Sequence, residues 1–92
     1  MKSLARIVIS DMLFFALCDE EIVDPDTAVK RLEYATYYLS ECSEEEKHAV
    51  LEIIAEMRQR AVERGDRASI ESLDQIPLDA WHEDEDEETD GA

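Results

Sequence analysis

Glu45, His48 and Glu52 are the residues whose types and spacing most invite chemistry, because offsets of three and four put two carboxylates and an imidazole on one helical face. Glu-x-x-His is half of a carboxylate metal pair. A di-iron bundle needs that motif on two helices, a further Glu from each of two others, and all of them pointing inward. Here the motif occurs once, on what reads as the solvent side of its helix, so no metal and no other cofactor is expected. Asp24 and Asp26 resemble the opening of a calcium loop, yet Val29 stands where the sixth-position glycine is required. Cys18 and Cys42 lack the spacing of a redox pair and read as free thiols, with Cys42 on an apolar seam where a cysteine behaves as a small hydrophobe. Neither a Gly-rich phosphate loop nor a basic patch is present, and no motif declares a family. The chain reads as noncatalytic.

Charge points elsewhere. Twenty-five Asp and Glu against nine Lys and Arg give 92 residues a formal charge of -16, which excludes the backbone of a nucleic acid as an ordinary partner. Seven of those acids fall in the final segment HEDEDEETDGA, so residues 1–82 still hold 18 acids against nine bases. We therefore expect a small acidic helical domain over 1–82 and a disordered acidic tail over 83–92, because a segment without large apolar side chains cannot offset its ordering entropy. The apolar run from Ile7 to Cys18 is split by Ser10 and Asp11 and is too short to span a bilayer, so no membrane association and a cytoplasmic location are expected.

Periodicity supplies the elements that must position these groups. Leu4 to Cys18 reads as a helix with apolar side chains around most of its circumference, and a strand over Ala5 to Ile9 is the competing assignment. Asp11 falls inside that apolar arc, so its carboxylate must reach a partner or sit at a rim. Asp24 as N-cap and Pro25 in the first turn open a second helix, whose seam is Ala28, Leu32, Ala35, Leu39 and Cys42. Ser43 and Glu46 form a capping-box pattern that starts a third helix, ended at about Arg64 by Gly65. Its apolar face is Val50, Ile53, Ile54, Met57 and Ala61, and an acidic stripe opposite runs from Glu45 through Glu52 and Glu56 to Glu63. The short turn between them predicts that helices two and three pack as an antiparallel hairpin. Asp66 caps a short fourth helix that Pro77 should stop, with Leu78 and Trp81 folding back over an open edge. The fold class is all-α: three main helices, a short C-terminal helix and the tail.

From this surface we expect a protein-binding, inhibitory or accessory module that meets a basic protein through Tyr34, Tyr37, Glu45, Glu52, Glu56, Glu63 and Trp81. An alternative is mimicry of nucleic-acid phosphates by the carboxylates of helix three toward a DNA- or RNA-binding protein. Another is a purely structural homodimer, and a symmetric homodimer is expected in any case, with Met12, Phe14, Phe15 and Leu17 as its interface, because helix one has more apolar circumference than a hairpin covers.

Overall fold

A computed structural model describes residues 2–81, which form four helices of similar length: α1 (Lys2–Leu17), α2 (Pro25–Ser40), α3 (Glu44–Arg64) and α4 (Arg67–Trp81). The segment expected to be disordered, 83–92, lies outside the described residues. Ala5 to Ile9 is helical, so the strand assignment does not hold.

The helix ends follow from local chemistry. Asp24 accepts from the Thr27 N–H at 3.3 Å, leaving Pro25 at a position where its missing N–H is no loss. The Ser43 hydroxyl accepts from Glu46 N–H at 3.1 Å while Glu46 Oε1 accepts from Ser43 N–H at 2.8 Å, closing the capping box in both directions. Gly65 ends α3 in the left-handed conformation, φ 70° and ψ 29°. Asp66 then restarts the chain, with its carboxylate taking the Ser69 N–H at 3.1 Å and the Ser69 hydroxyl at 2.7 Å.

Two expectations about the fourth helix and its neighbours are corrected. The helix is not short and does not stop at Pro77: it runs fifteen residues to Trp81. Proline removes one backbone donor, yet Ile76 and Ala80 on either side of it are buried in the core, and the Trp81 indole N–H donates to the Leu39 carbonyl at 3.1 Å. Packing beyond the proline thus outweighs the local break. Nor do α2 and α3 pack as a hairpin along their lengths. Instead α1 and α4 each pack against all three other helices and lie between them. The ion pairs Lys2–Glu52 and Arg6–Glu56, both at 3.1 Å, advance by four residues on each helix, so α1 and α3 run parallel.

Ile9, Ile53 and Leu73 are completely buried, one each from α1, α3 and α4, within a cluster that also holds Met12, Leu39, Val50, Ile54 and Ile76. From α2 only Ala28 and Leu39 are buried.

Truncating Leu73 to Ala should lower unfolding free energy by about 2–5 kcal/mol in urea denaturation. Gly65→Ala should lower it by about 1 kcal/mol, all of it from backbone conformation, because nothing lies within 4 Å of the added methyl group. Asp66 is held down at about 2, from an ordinary 3.8, first by the Ser69 hydroxyl, then by Arg64 and the Ser69 N–H. A carboxyl depressed on folding stabilises fully above its unfolded value, so this contribution should fade as pH falls from about 4 to about 2. Asp66→Asn should flatten that part of the acid-denaturation curve.

Candidate functional site

The group that looked most chemical disperses on the surface of α3. His48 Nε2 lies 3.0 Å from Glu52 Oε1 with its side chain largely in solvent, and Glu45 is exposed without an ion pair or side-chain hydrogen bond among the described residues. Lys2 draws Glu52 toward α1, and its hydrogen bond and positive charge hold the Glu52 carboxyl below the usual range. Arg6 does the same structural work with Glu56. Among the described residues no three His, Cys, Asp or Glu side chains converge on a point that would hold a metal ion.

The cysteines are also apart. Cys18 follows the end of α1 and Cys42 the end of α2; these ends are separated by a sixteen-residue helix, about 24 Å long at the rise of an α-helix, so no bridge joins them. Burial pushes the Cys42 thiol above its ordinary value and the nearby Glu46 carboxylate pushes it further, which suppresses the nucleophilic thiolate.

What α1 and α2 do build together is a groove of about 410 Å³. Val8 and Phe15 form one wall, Tyr34 and Tyr38 the other, and Met12, Ala35 and Leu39 line the space between them. Asp11 and Arg31 are the charged groups in that lining. The Arg31 guanidinium stands 5.1 Å from the centre of the Tyr34 ring, and Tyr34 in turn lies 4.9 Å from Tyr38. Asp11 sits at the rim, as its place in the apolar arc required, and makes no ion pair or hydrogen bond among the described residues. The lining is mainly apolar with one acid and one base on it.

The other expected contact residues separate into distinct places. Tyr37 faces the opposite flank of α2, where it shares a shallow groove with Val29, Leu32 and Asp79. Glu63 lies near the far end of α3. Trp81 is half-buried: its indole N–H is taken by Leu39, and the Lys47 ammonium stands 5.2 Å over its ring. Of the four residues expected at a dimer interface, Met12 is only 4% exposed and belongs to the core of its own chain. Phe14 and Leu17 are exposed, and Phe15 is half-buried in the groove wall. Arg31, Val8 and Tyr38 were missed as groove residues. Arg31 and Tyr38 lie a short arc from the predicted seam of α2, and Val8 lies within the broad apolar circumference of α1, positions that decide nothing until it is known which flank another helix covers.

No protein-family model, curated protein or solved structure matches the chain.

The Arg6–Glu56 pair joins two half-exposed side chains, so a double-mutant cycle with Arg6→Ala and Glu56→Ala should give a coupling below about 1 kcal/mol, diminishing with added salt. A coupling several times larger would mark this contact as a principal determinant of how α1 docks.

Proposed function

We propose that this chain is a noncatalytic protein-binding module, an inhibitor or accessory factor, that meets a basic protein surface with one strongly acidic end of its helical bundle. The observation that carries this reading is the anchoring of Trp81 at the Leu39 carbonyl. That contact fixes Trp81, the last described residue of α4, beside the end of α2, and the sequence that follows Trp81 carries seven acids. Glu41, Glu44, Glu45 and Glu46 stand at the same end. The first-turn acids of α3 are also favourable to the helix dipole, so their position costs the monomer nothing. A concentrated negative end accelerates encounter with a basic surface and orients it, more than it sets final affinity.

This placement moves the contact away from the middle of α3. Glu52 and Glu56 are already engaged by Lys2 and Arg6, and the remaining stripe residues, Glu45 and Glu63, are about 27 Å apart along the helix. Mimicry of a phosphate row has less support for that reason, since its two central carboxylates are shared with cations of the same chain.

Affinity capture from native extract at low and high salt, with identification of what is released, supplies the partner. Deleting residues 83–92 should then leave helical content unchanged and slow association with that protein at low salt, the difference shrinking once the Debye length falls well below about 10 Å. Glu44→Gln with Glu45→Gln should slow it in the same way. Stopped-flow rates that ignore both changes at every salt concentration, or a partner that is itself acidic, would remove this function.

A further inference from the structure

The α1/α2 face differs from the rest of the molecule in both polarity and charge. On α1, Leu4 and Ile7, within about one turn of the groove residue Val8 along the helix, are 69% and 57% exposed. Across the groove Tyr34 and Tyr38 are each 56% exposed. Leu4, Ile7, Tyr34 and Tyr38 are thus each more than half exposed, far more than side chains covered within a core. An exposed apolar surface of this extent marks a site of association.

Its charge says what associates. The groove lining holds one acid and one base, so it is neutral in a chain of charge -16. A second copy, equally acidic, is repelled from most approaches and least from this one. On the apolar ground lie one acid, Asp11, and one base, Arg31, and the two make no ion pair with each other or with any other described residue. A basic partner would satisfy Asp11 and oppose Arg31; an acidic partner would do the reverse. A twofold-related copy satisfies both, because in an isologous contact each pairing occurs twice with the roles exchanged.

We propose that the groove between α1 and α2 is the docking surface for a second copy of this chain, closed by reciprocal Asp11–Arg31 ion pairs across a twofold axis. The interface differs from one built on Met12, which stays in its own core. It does not overlap the acidic end proposed for a basic partner, which it adjoins through Leu39.

Sedimentation equilibrium of the full chain tests it. A dimer should form in the micromolar range and tighten as salt rises, since screening weakens the long-range repulsion between two acidic copies. Ile7→Glu should give a monomer whose helical circular dichroism is unchanged, and Leu4→Glu, at a still more exposed position, serves as the second variant if the first fails to fold. Asp11→Arg and Arg31→Asp should each weaken dimerisation about tenfold or more, and the double exchange should recover most of the loss. A chain that remains monomeric up to about 1 mM at every salt concentration would overturn the proposal. So would a dimer indifferent to Ile7→Glu, to Leu4→Glu and to both charge reversals, or a double exchange no tighter than either single one.

Discussion

Ile9, Ile53 and Leu73 belong to one buried cluster without any exposed surface, and the rest of the bundle is arranged around that three-helix junction. A chain this short buries only about 60–65% of its unfolded surface, so it supports a single core and little beyond it. Here α1, α3 and α4 supply that core, while α2 offers two alanines and two leucines along its inner face. Alanine allows close approach but brings little apolar area. The consequence is a helix that lies against α1 and α4 with open grooves on both flanks, one holding Tyr34 and Tyr38 and the other Tyr37. Those grooves follow from the small size of the inner face of α2.

Scarcity of cations shapes the surface in the same way. With nine bases among 25 acids, each ion pair between helices takes a positive charge away from somewhere else. Lys2 and Arg6 hold α1 to α3, and Arg58 holds α3 to α4 through Asp74 at 2.7 Å. Each of these pairs is exposed and weak alone, so they orient helices that the core already holds together. Their effect on function is indirect: the pairs leave the middle of α3 locally compensated, while the first turn of α3 and the chain beyond Trp81 stay strongly acidic.

Features set by neighbouring residues were legible from the sequence; those set by distant ones were not. Asp24, the Ser43 and Glu46 pair, Gly65 and Asp66 each carry a local hydrogen-bond or backbone requirement, and all four helix boundaries they govern stand where that chemistry put them. The Pro77 stop failed because its counterweight is tertiary, the burial of Ala80 and the reach of Trp81 to a carbonyl 42 residues away. The α2/α3 hairpin failed for a related reason. A short turn fixes where two helices begin, but their lateral neighbours depend on which apolar faces match, and the small buried face of α2 leaves the larger one of α3 to α1 and α4. Periodicity likewise showed that α1 has more apolar circumference than the core requires; only the docking of α3 on its Lys2 and Arg6 side decides that the uncovered part is the one facing α2.

Leu39 links the two surfaces. Its side chain lines the α1/α2 groove, and its carbonyl oxygen accepts the Trp81 indole at the acidic end. Because α2 contributes least to the buried core, its stability relative to the other helices depends on these few attachments, and segments with few buried contacts are the first to open locally. Apolar surface laid into the groove adds contacts to Tyr34, Tyr38 and Ala35 on the same turns of helix that lead to Leu39. Any free energy gained there favours the arrangement in which α2 is docked, and docked α2 is what presents the Leu39 carbonyl to Trp81. The neutral face and the acidic end thus share one weakly held element, although the forces that would recruit a ligand to each are of different kinds.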